Sequence, residues 1–321
     1  MIAVLGEALV DRFEDEDGPP VERPGGSPAN VAVALARLDV PTRLVTQLGD
    51  DARGRAVLRH LCDNGVAVAT GSVRAGQPTS VARTVVTGGQ ASYKFSVGWE
   101  GVGSRGLRTL LDDRVDCVHT GSIAALAPLS HGGAASVLRA VAVARGRATI
   151  TFDPNCRPSV MGDARTVRRR TEDLVAVSDV VKASDDDVRW LYSGRPPEAV
   201  MHRWLDLGAR LVVVTHGWRG SSALTRRHSV AVSAEPVDVV DTVGAGDSFM
   251  AGLLAGLHHA GLLGAPERDR LAQLEIDPLR RMLRVAARVA AITCGRRGAD
   301  SPTAAELGAV AGQTGPLTAR L

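Results

Sequence analysis

Short apolar runs recur along this chain, and a helical pattern separates each from the next. Ile2 to Leu5 is the first. Thr42 to Gln47, Cys117 to His119, Ala148 to Phe152, Asp179 to Val181 and Leu211 to Thr215 follow. Between them, Ser27-Pro28 reads as an N-cap with proline at the first helical position, so a helix is predicted from there to about Leu38. Asp51 to Asn64 is a second helix. Leu279, Met282, Leu283, Ala286, Val289 and Ala290 mark one buried face of a third. Strand, helix, strand in this order predicts an α/β fold: a doubly wound, mainly parallel sheet flanked by helices on both faces.

Two segments break the rhythm. Residues 8–24 are acidic and proline-rich. Residues 77–98 read as two extended runs, Ser80 to Val86 and Ser92 to Val97, around Thr87-Gly88-Gly89-Gln90. Gly-Gly between β-rich runs is a hairpin signal. Both segments are awkward inside a doubly wound sheet, so they are expected to form a small β lid inserted into one domain covering residues 1–321.

The composition excludes several functions. Lys and Arg number 38 against 35 Asp and Glu, a net charge of +3, and Glu172 and Asp173 closely follow the basic run Arg168-Arg169-Arg170. No basic arm or stripe is present, and aromatic residues are few, so no nucleic-acid partner is expected. Cys62, Cys117, Cys156 and Cys294 lack metal-ligand spacing and read as reduced thiols of a cytoplasmic protein. Met1 to Leu5 is too short for a signal peptide, and no apolar run has transmembrane length, so no membrane partner is expected either.

The chemistry is concentrated in Asp241-Thr242-Val243-Gly244-Ala245-Gly246-Asp247-Ser248-Phe249, which leads into an apolar helical run. Free N–H groups at a helix N-terminus form an anion hole, and the helix dipole reinforces it. Asp247 alone could be a plain N-cap. The Gly244-Ala245-Gly246 run before it changes the balance, because a phosphate approaching the backbone needs small or absent side chains. A carboxylate beside such a hole suits removal of a proton from a hydroxyl that attacks a held phosphoryl group.

The same residues resemble the C-terminal signature of the ribokinase-like (PfkB) carbohydrate kinases. Gly25-Gly26-Ser27-Pro28-Ala29-Asn30 and the apolar helix after it resemble the N-terminal signature. The likeness runs from Gly6 to about Gly298, nearly the whole chain. It implies that Asp247 is the general base and that Gly244, Ala245 and Gly246 supply amides to the transferred phosphoryl group. It also implies that Asp11, Gly25, Gly26 and Asn30 contact the sugar. Phe152-Asp153-Pro154-Asn155-Cys156-Arg157 resembles the D-P-N-x-R element of fructokinase-like and ketodeoxygluconate-kinase-like branches, which would put Arg157 on substrate or phosphate charge.

The stretch from Lys182 to Asp187 occupies the place of the family's N-x-x-E element, with Ser184 for asparagine and Asp187 for glutamate. The resemblance implies nucleotide contacts from Lys182 and Ser184, and a magnesium contact from Asp187 through water. Thr215, Gly217 and Gly220 match the nucleotide loop. Ala287 stands where related kinases often carry an asparagine near the adenine, so base recognition departs from the pattern. ATP, Mg2+ and a monovalent cation are the implied cofactors, and a homodimer through the exposed lid edge is expected.

Fructose is the leading substrate. Gly6-Glu7-Ala8-Leu9-Val10-Asp11, Asp153-Pro154-Asn155 and Arg296-Arg297-Gly298-Ala299 look fructokinase-like, whereas the lid run Tyr93 to Gly98 matches that branch only loosely. 2-Keto-3-deoxygluconate, ribose and a nucleoside are the alternatives, and a catalytically idle sugar-binding protein is the alternative outside enzymes. Gly101-Val102-Gly103-Ser104-Arg105-Gly106 fits G-x-G-x-x-G but follows the lid hairpin rather than a first strand, so dinucleotide binding is not expected there. His119 and His216 read as packed or polar-edge residues.

Overall fold

A computed structural model describes residues 1–14, 19–87, 90–129 and 132–310. The main sheet is built from β1 (Ile2–Leu5), β4 (Thr42–Val45), β6 (Ala67–Val68), β10 (Cys117–Gly121), β11 (Thr149–Asp153), β12 (Val180–Ser184), β13 (Leu211–Thr215), β14 (Ser221–Leu224) and β15 (Ser229–Val232). Their order across the sheet is β15-β14-β13-β12-β11-β10-β1-β4-β6. Every neighbouring pair from β6 to β13 is parallel, and β13-β14-β15 closes one margin antiparallel. The chain winds outward in one direction from β1 and in the other from β10. The C-terminal ends of these two neighbours therefore open a crevice at the point where the winding reverses.

Alternation within the strands builds two cores. Ile2, Val180, Leu211 and Val213 face a cluster that contains Val31, Leu35, Leu253, Leu254, Leu283 and Val289. Ala3, Val181, Val212 and Val214 face the opposite cluster, with Val137, Leu174 and Trp204. Strands buried on both faces carry apolar side chains in both phases, which is why their sequences read as runs rather than alternations.

The lid is a separate four-stranded sheet. It contains β2 (Leu9–Glu14), β3 (Val21–Gly25), β8 (Val81–Thr87) and β9 (Gln90–Ser96), in the order β3-β2-β8-β9. Both interrupting segments thus meet in one sheet, joined by parallel pairing of β2 with β8. The Gly88-Gly89 turn expected for its hairpin lies outside the described residues. A further pair, β5 (Leu48–Gly49) and β7 (Val73–Arg74), was not evident in the sequence.

The helix Ala245–His259 packs against Ile276–Cys294 through small residues. A Cβ at Gly252 would sit 2.8 Å from Ala286 Cα, so only glycine permits this approach. Close packing of these two helices fixes where the N-terminus of the first one points. Among the described residues, no helix is long and apolar enough to cross a membrane.

Candidate active site

The first helix after β3 runs from Ser27 to Arg37 with Gly26, not Ser27, as its N-cap. The expected Ser27 cap is thereby corrected, and the reason lies elsewhere in the chain. Gly26 has φ 100°, and its backbone turns so that the Ser27 hydroxyl leaves its own helix. That hydroxyl donates to Asp247 Oδ1 at 2.7 Å, and Asn30 Nδ2 donates to Asp247 Oδ2 at 2.8 Å. The two family-like signatures, more than two hundred residues apart, therefore meet at one carboxylate. Asp247 is 7% exposed and sits in the first turn of the helix Ala245–His259. Both of its hydrogen-bond partners are neutral, so they orient its charge without pairing it.

Gly244 precedes that helix in the left-handed region at φ 77°, and a Cβ there would lie 2.5 Å from Ala299 Cβ. The tight turn directs the Ala245 amide to Thr242 O at 3.3 Å. Ala245 therefore does not offer the free amide expected of it. Among the described residues, the amides of Gly244, Gly246 and Asp247 donate to no protein acceptor. The cup is thus made by Gly244, Gly246 and Asp247, at a helix N-terminus where anions are favoured. Asp241 steadies it from behind, accepting from Val243 N at 3.0 Å and Gly298 N at 2.8 Å.

Lys182 comes up to this cup from the sheet. Phe152 pairs with Val181, so Asp153 and Lys182 are next in register and project to the same face. Lys182 Nζ donates to Asp153 Oδ2 at 2.8 Å, with both residues buried. A Cβ at Gly246 would lie 3.0 Å from that same ammonium. Burial works against the Lys182 charge, but Asp153, with Asp187 and Asp247 behind it, holds its pKa above the ordinary value. Burial pushes the Asp153 carboxyl up against the pull of Lys182. His119 lies on the same face, its Nδ1 3.0 Å from Thr151 Oγ1, and burial beside Lys182 lowers its pKa to about 3. It is a neutral packed residue at neutral pH.

The remaining candidates are placed less uniformly. Asp11, on β2, lies against Gly25 so closely that a Cβ there would meet Asp11 Oδ2 at 1.9 Å. Burial raises the Asp11 carboxyl to about 6; Arg157 opposes the rise and the Asp247 charge adds to it. Asp11, Asp247 and Arg157 are therefore within electrostatic reach of one another. The Arg157 guanidinium folds back on its own loop, donating to Asn155 Oδ1 at 2.7 Å and Cys156 O at 3.0 Å.

Ser184 and Asp187 form a capping box at the helix Asp185–Leu191. Asp187 Oδ2 accepts from Ser184 N at 2.8 Å and Ser184 Oγ at 2.6 Å, and Oδ1 accepts from Cys156 N at 2.6 Å. Both oxygens are thus committed to protein donors, which leaves Asp187 suited to an outer contact through water rather than to direct ligation. Among the described residues no group of three or more His, Cys, Asp or Glu is arranged to hold a metal ion. Thr215, Gly217 and Gly220 lie on the β13-to-β14 turn, where Gly217 has φ 57° and Gly220 φ 97°.

Two site residues, Ser27 and Asp153, and one buried acid beside the site, Glu7, are not legible as such from the sequence alone. Ser27 reads as a cap of its own helix. Asp153 carries a usable signal, as an acid at the end of an apolar strand, but its partner Lys182 lies on another strand. Glu7 is buried at the end of β1, accepting from Ala124 N at 2.9 Å and Ile123 N at 3.3 Å, and burial raises it to about 7.

A buried carboxylate that faces unpaired amides can take a proton from an alcohol while the amides hold the oxygens of an arriving phosphoryl group. That chemistry, on a parallel sheet with a lid, defines a small-molecule phosphotransferase. Residues 1–306 match the pfkB family of carbohydrate kinases, and the chain belongs to that family. A fructokinase from Rhizobium leguminosarum bv. trifolii is 35% identical over 288 residues, covering 87% of this chain and 86% of that protein. A fructokinase from Xylella fastidiosa solved with bound ATP superposes with a TM-score of 0.85 at 24% identity, covering 97% of this chain and 98% of that one. A double-mutant fructokinase from Vibrio cholerae O395, solved with fructose, ADP and potassium, gives 0.75 at 26% identity, covering 96% and 97%. The chain is a carbohydrate kinase, built on the mainly parallel, helix-flanked sheet that its strand rhythm predicts.

Proposed function

We propose that this kinase transfers the γ-phosphoryl group of ATP to a primary hydroxyl of fructose, giving fructose 6-phosphate and ADP. The observation that carries the reading is the meeting of Ser27, Asn30 and Asp247 beside the unpaired amides of Gly244 and Gly246. The sugar lies between Asp11, Gly25, Gly26, Asn30 and the lid. Asp247 removes the proton from the attacking hydroxyl, whose oxygen forms the new bond to the γ-phosphorus as the bond to the β-phosphate oxygen breaks. The amides of Gly244, Gly246 and Asp247 hold the equatorial oxygens, and Lys182 Nζ supplies positive charge beside them. Thr215, Gly217 and Gly220 hold the rest of the nucleotide. Arg157 must swing from its own loop to reach substrate charge.

Magnesium, when bound to the nucleotide, would neutralise phosphate charge, and Asp187 would contact its water shell. Fructose is favoured because the fructokinase relatives align over most of this chain. The test is ADP release over a panel of fructose, 2-keto-3-deoxygluconate, ribose and nucleosides, with ATP and magnesium, with and without potassium. Fructose is expected to give the highest kcat/KM. Saturable fructose binding with no turnover on any member would overturn the assignment.

A further inference from the structure

A cavity of about 230 Å³ opens between the segment after β4 and the segment after the lid. Thr46, Gln47, Ser72, Arg74, Trp99 and Arg105 line it, together with the glycine-rich run Gly101 to Gly106. It shares no residue with the kinase site. Both arginines are free of salt bridges among the described residues, and no Asp or Glu lines the cavity. Their side chains reach across it. A Cβ on Gly103 would meet Arg74 Nη2 at 3.8 Å, and one on Gly71 would meet Arg105 Cδ at 3.1 Å and Nη1 at 3.8 Å.

The lining also holds buried polar atoms without partners: Thr46 Oγ1, Arg74 Nε and Trp99 Nε1. The indole edge of Trp99 turns to Gly133 outside the cavity, where a Cβ would meet Nε1 at 3.4 Å, so the case for an occupant rests on the two arginines. Two guanidiniums with no acid repel one another and favour an anion that accepts from both. The volume lies below the roughly 300–1,000 Å³ of pockets for drug-sized ligands, which restricts the occupant to a small ion or metabolite.

We propose that this cavity binds a small phosphate-bearing anion, held by Arg74 and Arg105. Two glycines of the run have packing reasons of their own. A Cβ at Gly101 would lie 2.1 Å from Ser136 Oγ, and one at Gly106 2.9 Å from Val45 Cγ1. Gly103 has no such constraint and leaves the approach to Arg74 open. Trp99 follows the last lid strand by three residues, and Gly98 N donates to Ser80 Oγ at 3.1 Å beside the first strand of the lid hairpin.

Isothermal titration of the full chain with inorganic phosphate, and separately with glycerol 3-phosphate, tests the site. Arg74→Met and Arg105→Met are each expected to weaken the cavity event by about tenfold or more. Gly103→Asp supplies a carboxylate facing Arg74 at a favourable N-cap, so it should abolish the event with the fold intact, checked by thermal unfolding. Anion binding at the glycine cup is untouched by these changes, as is turnover in phosphate-free buffer. Tighter binding of glycerol 3-phosphate than of phosphate assigns the site to a metabolite, and the reverse assigns it to the free ion. Identical isotherms for wild type and all three variants would overturn the proposal. Absence of fructose turnover bears on the kinase assignment alone and leaves this result standing.

Discussion

Asp179 lies just before β12 at the N-terminal edge of the main sheet, and Asp247 lies over the C-terminal edge. Both are buried, and they are held in opposite ways. Asp179 Oδ1 accepts from Arg268 Nε at 2.9 Å and Arg210 Nη1 at 3.3 Å, with Arg145 at 3.7 Å, and Ile150 N donates to Oδ2. Arg268 in turn bonds the carbonyls of Arg145 and Ala148. That carboxylate ties four segments together, and its charge is cancelled where it stands. At the other edge, among the described residues, no arginine pairs with Asp247, whose partners are the neutral Ser27 hydroxyl and Asn30 amide. Glu7 there is likewise held by backbone amides. Asp179 is fastened by three guanidiniums, whereas at the other edge the Lys182–Asp153 pair is buried beside an Asp247 held only by neutral donors.

Removal of charge at each edge should therefore give different losses. Asp247→Asn keeps the hydrogen-bond geometry within reach but removes the base. It is expected to lower kcat by about 10²–10⁴-fold with fructose affinity largely retained, measured by ADP release and by direct sugar binding. Near-normal turnover would erase the distinction between the edges. Asp179→Asn leaves three guanidiniums without their acid. A stability loss of roughly 3 kcal/mol is expected in denaturant unfolding, with kcat per folded molecule unchanged. A large fall in kcat without destabilisation would reverse the roles assigned here.

Glu7 gives the finest test, because it is a C-terminal-edge carboxylate outside the reaction. Burial raises its folded pKa to about 7, above the ordinary glutamate value of 4.5. Stability from this group is therefore complete below pH 4.5 and is lost as pH rises through about 7. The gap corresponds to roughly 3 kcal/mol at its upper bound, and relaxation around the site will reduce it. Glu7→Gln keeps an acceptor for Ala124 N and removes the titration. The wild type should thus be less stable than the variant at pH 8 and closer to it at pH 4.5, in paired denaturant curves. Parallel pH profiles for the two proteins would show that this edge does not hold Glu7 uncancelled.

Much of the framework was legible from the chain itself. The apolar runs at Ile2, Cys117, Ala148 and Leu211 became strands because burial on both faces demands apolar side chains in both phases. Boundaries were less legible where partners decided them. The strand read as ending at His119 continues to Gly121 because Thr120 pairs with Leu5 and Gly121 with Asp153. The short strands β14 and β15 have too few residues to show a clear period and are fixed by hydrogen bonding to β13.

The site divides along the same line. Gly244, Gly246 and Asp247 form one local turn, so their spacing alone announces an anion cup and a carboxylate. The hydroxyl of Ser27, the ion pair of Lys182 with Asp153 and the loss of the Ala245 amide to Thr242 depend on what other segments, or the turn itself, bring alongside. Local periodicity and backbone geometry are written residue by residue. Which buried charge meets a guanidinium and which meets only a neutral donor is set by packing between segments far apart in the chain, and a linear order carries no distances.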